Sequence, residues 1–182
     1  GVQTCGRPLS GMTDSSSHAA DLAATLPDMA FRRFTLDNGL TLLVHEDPRA
    51  ATVAVHVAYA VGAKDEPAGQ FGLAHLMEHL MFSGSAALPG SYISHLERAG
   101  AEGLNGVTSA DITQFFQSVP PGSLDYTLFA EADRMGWLAG GLSPQALEVQ
   151  RDVVTREMEE NELQPLGAVQ GAILRHLFPA EH

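Results

Sequence analysis

The residues in this chain best equipped for chemistry lie in one short run, His75-Leu76-Met77-Glu78-His79. The flanking residues Phe71, Leu73, Leu76, Leu80 and Met81 recur at helical spacing, so the run is expected inside a helix. On a helix, residues i and i+4 stand one above the other. His75 and His79 can therefore grip one ion between them. Zinc accepts imidazole nitrogen and carboxylate oxygen in tetrahedral geometry, and a catalytic site keeps one position for water. Glu78 falls at the edge of the same face. A carboxylate there can take the proton from a zinc-bound water as that water attacks a carbonyl. The neighbours Leu76, Met77, Leu80, Met81 and Phe82 are apolar. Two imidazoles and a carboxylate are costly to bury in such company without a partner, and a metal supplies one.

A tetrahedral site needs a third protein ligand. The sequence from Pro144 onward offers Glu148, Glu157, Glu159, Glu160 and Glu162. Most of such a cluster reads as a solvated acidic face. Spacing alone does not choose among its members, although Val153 and Val154 lean the face that carries Glu157 inward.

Length and composition bound what can surround this run. The chain has 182 residues, 45% of them hydrophobic and 18% charged, enough for one ordinary domain with a core. No stretch reaches the roughly 20 apolar residues of a membrane span. The net charge of −12 argues against a nucleic-acid partner, since phosphate-backbone binding rests on clustered Lys and Arg. The one cysteine, Cys5, allows no intrachain disulfide. The first residue is Gly rather than Met, so a processed, cut or partial chain is expected, with any signal peptide no longer visible.

Residues 1 to 28, rich in Ser, Thr, Gly and Ala, read as a flexible leader. Phe31 to Leu36 and Leu40 to His45 flank Asp37-Asn38-Gly39 and predict a hairpin. Thr52 to Val61 fits a buried strand, and Gly62 to Gln70 a loop. After the helix of the histidines come a short helix ending before Gly100, two strands over Gly103 to Thr108 and Ile112 to Val119, and three helices. These cover Leu124 to Leu138, with Leu128, Ala132, Met135 and Leu138 on its apolar side, then Pro144 to Leu163 and Leu166 to Phe178. Ser143-Pro144 is a helix-start signature. The order predicts an α+β fold, a mainly antiparallel sheet with helices packed on one face.

With these residues in place, the sequence resembles the pitrilysin-type metallopeptidases, the family of insulin-degrading enzyme and the mitochondrial processing peptidase, in which the inverted His-x-x-Glu-His motif occurs. The resemblance runs from about Met29 to Phe178. It is carried by Leu36-Asp37-Asn38-Gly39-Leu40, by Gly72 through Ser85, by Asn105-Gly106-Val107-Thr108-Ser109, by Asp133-Arg134-Met135 and by Gln150 through Glu157. It implies one zinc per chain on His75, His79 and Glu157, with Glu78 as base. It implies that Asn105 and Gly106 lie on an edge strand where a substrate peptide adds as an extra strand, with Asn105 touching it. It also implies a second homologous domain or subunit. Residues 29 to 182 then form an amino-terminal zinc-peptidase domain, incomplete at its C-terminal end. Many members carry a second glutamate seven residues before the ligand, where this chain has Gln150. The Gln-Arg-x-Val-Val pattern is similar to a bacterial periplasmic branch, which implies a periplasmic or secreted enzyme.

Two other readings stand beside the zinc peptidase. S-ribosylhomocysteine lyases share the motif and are close in length, but they use a downstream cysteine as third ligand, and Cys5 lies upstream. A non-catalytic, partner-binding subunit or fragment of the same fold is the other; it would explain an isolated chain that holds metal without turnover. The remaining histidines take plainer roles: His45 and His56 as hydrogen-bonded strand residues, His95 and His176 as surface or packing residues, and His18 and His182 near the termini. Met135 and Trp137 are expected in the core, and Gly140-Gly141 as a simple turn between helices.

Overall fold

The computed structural model describes residues 29–164 and 166–177. The expected leader, with Cys5 and His18, lies outside the described residues, as does His182. The chain divides into two compact units between Arg49 and Ala50.

The first unit holds the expected hairpin. Strands β1 (Arg32–Thr35) and β2 (Thr41–Val44) pair antiparallel, from Arg32↔Val44 to Thr35↔Thr41. Gly39 turns the chain with a φ of 87°, which side chains disfavour, and Asn38 Oδ1 accepts the Leu40 N–H at 3.1 Å. His45 follows β2, with Nδ1 2.7 Å from the Ala30 carbonyl.

The second unit contains a three-stranded antiparallel sheet in the order β3-β5-β4, from β3 (Val53–Tyr59), β4 (Glu102–Thr108) and β5 (Thr113–Val119). Central β5 buries Thr113, Phe115, Gln117 and Val119 on one face. β3 departs from the expected buried strand. It is an edge strand with alternating exposure: Val55 is buried, whereas Ala54, His56 and Ala58 face outward. Ala54 and Ala58 on the outward face made the run look apolar on both sides. His56 makes a 2.9 Å hydrogen bond with Gln114 across the strand pair.

The helices are α1 (Leu73–Leu80), α2 (Tyr92–Arg98), α3 (Leu124–Gly141), α4 (Pro144–Leu163) and α5 (Gly167–Leu177). The mixed architecture matches the expected class, with small antiparallel sheets rather than one large one. Leu88, Tyr92, Leu96 and Ala130 form the core cluster, with Phe82, Ala101 and Leu104 packed against it. Ser143 caps α4 as expected, accepting the Ala146 N–H at 3.1 Å. Among the described residues no helix is long and apolar enough to cross a membrane.

α3 overturns the expected face. Of the residues expected inside, Leu138 is buried, but Leu128, Ala132, Met135 and Trp137 are exposed, Trp137 by 66%. The helix instead buries Thr127, Ala130, Glu131, Asp133, Arg134 and Leu138. The reason is a saturated polar cluster. Glu131 accepts from the Tyr92 hydroxyl (2.9 Å), from Gln117 Nε2 (2.8 Å) and from Arg134 through both carboxylate oxygens. The Arg134 guanidinium lies 4.4 Å from the Tyr92 ring centre and 4.1 Å from that of Phe115. Burial pushes the Tyr92 hydroxyl above the ordinary phenol range. Gly141 is more than a turn residue: a Cβ there would sit 2.5 Å from the Gly84 carbonyl oxygen and from Ser85 Cα. Its bare backbone lets the end of α3 close on the segment after α1, where Ser85 Oγ donates to Asp133.

Candidate metal centre

The start of α1 sets the position of His75. Gly72 enters the helix at a φ of 88° and brings no side-chain cap of its own. Glu66 supplies one: its carboxylate accepts the Gly72 N–H at 2.9 Å and the Ala74 N–H at 2.7 Å. Two of the unpaired amides of the first turn are thereby satisfied, with a negative charge at the positive end of the helix. The preceding stretch reads as a plain loop in the sequence, so this role of Glu66 was not legible there.

On the next turns, His75 and His79 stack edge to face with ring centres 4.8 Å apart. α1 packs against α4. Buried Val154 and half-buried Val153 turn Glu157 toward the histidines, and its Oε2 lies 3.6 Å from His75 Nε2 and 3.3 Å from His79 Nε2. One ligand atom from each of the three falls within 4.8 Å of the others, and among the described residues this is the group of His, Cys, Asp and Glu so arranged. Glu148, Glu159 and Glu160 are exposed and take no part.

These separations suit a metal. Two ligands each roughly 2.0–2.1 Å from a tetrahedral zinc lie about 3.3 Å apart. Two imidazole nitrogens and one carboxylate oxygen also form a donor set zinc accepts in catalytic sites. His79 approaches Gln150 Oε1 through Nδ1, at 3.3 Å. Nδ1 thus faces an amide oxygen while Nε2 faces Glu157, the arrangement that orients a ligating imidazole.

Glu78 turns to the sheet instead. It is 7% exposed, and Thr108 Oγ1 on β4 donates to its Oε2 at 2.6 Å. Gly106 lies under it: a Cβ there would come 2.9 Å from Glu78 Oε1. Asn105, next along β4, is exposed, and its Oδ1 accepts the Gly106 N–H at 2.9 Å. Thr108 belongs to a segment already singled out in the sequence, but its contact with Glu78 was not foreseen. The available signal was period two, since Gly106 and Thr108 share a strand face. Beside this centre a cavity of about 650 Å³ opens, lined in part by His79, Phe82, Ser83, Ile93 and Gln150.

Comparison with known proteins places the chain in a family. Residues 41–181 match the family described as Insulinase (Peptidase family M16). The chain belongs to the insulinase family of peptidases. Insulin-degrading enzyme of Drosophila melanogaster is 30% identical over 156 residues, covering 84% of this chain and 15% of that protein. An uncharacterized zinc protease of Mycobacterium tuberculosis is 32% identical over 159 residues, covering 87% of this chain and 35% of its own length. The crystal structure of a protease from Helicobacter pylori superposes with a TM-score of 0.70 at 30% identity, over 76% of this chain and 33% of that one. The chain thus spans about a third or less of the curated relatives named here. Membership of the insulinase family makes the chain part of a metallopeptidase lineage whose relatives include zinc proteases.

Proposed function

We propose that this chain carries the metal-binding half of a zinc endopeptidase or oligopeptidase. The observation that carries the reading is the meeting of His75, His79 and Glu157, with a buried Glu78 on the same helix as the two histidines. His75 Nε2, His79 Nε2 and Glu157 Oε2 would hold one zinc per chain. Zinc, when bound, contributes Lewis acidity, which acidifies a water and polarises a carbonyl. Glu78 accepts the proton from the attacking water and can return it to the departing amine. Glu157, a carboxylate from another helix, completes a site that the two histidines of α1 leave open.

β4 is an edge of the three-stranded sheet among the described strands. A substrate peptide would add along it as a further strand, held by main-chain hydrogen bonds, with exposed Asn105 touching it. Strand addition favours extended peptides and unfolded segments over folded proteins. A second homologous domain or subunit would close over the substrate.

The deciding experiment is Glu78→Gln in the full natural form of the protein. One zinc per chain by metal analysis and no cleavage of a quenched peptide library are expected. Cleavage that persists, or zinc lost together with activity, would overturn the role of Glu78.

A further inference from the structure

β4 also controls how the candidate base is presented. Glu78 Oε2 is engaged by the Thr108 hydroxyl at 2.6 Å. Among the described residues, Oε1 has no hydrogen-bond partner. It is also not one of the side-chain atoms sealed from solvent without a partner, which are Tyr59 Oη and Arg134 Nη1. The two carboxylate oxygens are therefore unlike: Oε2 accepts from Thr108, while Oε1 lies over Gly106 with no hydrogen-bond partner among the described residues.

The tie is itself anchored. Thr108 is held by its β4-β5 register pairing with Thr113; the two hydroxyl oxygens stand 3.4 Å apart, and Thr113 spends its own proton on the Val61 carbonyl at 3.0 Å. Thr108 has a single hydroxyl proton, and the 2.6 Å contact directs it to Glu78. On the other side the carboxylate is confined by the backbone of Gly106. A Cβ at that position would lie 3.0 Å from Glu78 Cγ and 3.0 Å from Phe82 Cε2. Glutamate's terminal torsion is broad, so packing alone does not decide which oxygen faces which way.

We propose that Thr108 is a positioning residue for the base: by holding Glu78 Oε2 it leaves Oε1 as the oxygen that receives the proton. The inference rests on the reading of Glu78 as a general base. It also means that the strand offered to the substrate and the strand that aims the base are one and the same.

The test compares Thr108→Val and Thr108→Ser in the full natural form of the protein, using an internally quenched peptide that the unaltered protein cleaves. Valine matches threonine in shape and lacks the hydroxyl; serine keeps it. A base that drifts by about 1 Å loses on the order of a hundredfold in rate. For Thr108→Val, kcat is expected to fall about 10- to 100-fold, with KM and zinc affinity by chelator competition unchanged. Thr108→Ser is expected to recover most of kcat. Independently of activity, a crystal structure of Thr108→Val should show the Glu78 carboxylate displaced from its place against β4. Unchanged kcat, a serine variant as damaged as valine, or parallel loss of zinc would overturn the proposal. An unaltered protein that cleaves nothing, or an active Glu78→Gln variant, would instead sink the peptidase reading, and the carboxylate's position would still test Thr108.

Discussion

Glu131 and Glu78 are both buried carboxylates on helices facing the same sheet, 3% and 7% exposed, and their surroundings differ sharply. Glu131 is saturated: Tyr92, Gln117 and Arg134 all donate to it, and the paired guanidinium offsets its charge. Among the described residues Glu78 receives one hydrogen bond, from Thr108, and no salt bridge, whereas Glu131 pairs with Arg134. A saturated carboxylate has no lone pair left for a substrate and fixes the packing of α3 on the sheet. An unsaturated one costs stability where it stands and keeps an oxygen free for a proton.

The largest expected effect that tests this contrast lies on the structural side. Glu131→Gln leaves Arg134 buried without its counter-charge, and chemical denaturation should show a loss of about 3–5 kcal/mol. A loss below about 1 kcal/mol would mean that the cluster is not what holds α3 in place. Next come the supports of the proposed metal ligands. Gln150→Leu removes the acceptor facing His79 Nδ1, and zinc affinity by chelator competition should drop about 10- to 100-fold with little change in fold. Unaltered affinity would show that the imidazole needs no orienting partner. Glu66→Ala uncaps α1 and should lower stability by about 0.5–2 kcal/mol, a cost that Glu66→Gln reduces by keeping one acceptor. The smallest effect is reserved for Glu78 itself. Glu78→Gln should shift the denaturation midpoint by less than about 1 kcal/mol, because a single hydrogen bond to a neutral side chain replaces one to a charge. A destabilisation as large as that of Glu131→Gln would erase the distinction between the two carboxylates.

Much of this arrangement was legible because it is local. The Asn38-Gly39 hairpin, the Ser143-Pro144 helix start and the pairing of His75 with His79 all follow from spacings of a few residues, over which backbone geometry is nearly fixed. Where local pattern misled, a long-range polar group had replaced an apolar one. Leu128, Ala132 and Met135 trace a plausible apolar stripe on α3, yet the helix turns Glu131 and Arg134 inward. Their charges find partners on α2 and β5, and no periodicity within α3 reports those partners. β3 misled in a simpler way, since Ala at alternate positions hides which face is exposed.

The sequence by itself determined the donor chemistry: two imidazoles one helical turn apart with a carboxylate beside them, and membership of a family able to use them. Tertiary structure alone brought Glu157, 78 residues beyond His79, within 3.3 Å of it, set Gln150 behind His79, and laid Thr108 and Gly106 against Glu78. The physical reason is the reach of each constraint. A helix fixes its neighbours within one turn through backbone hydrogen bonds, whereas contacts between distant segments are chosen only when whole faces pack and every buried polar group must find its partner.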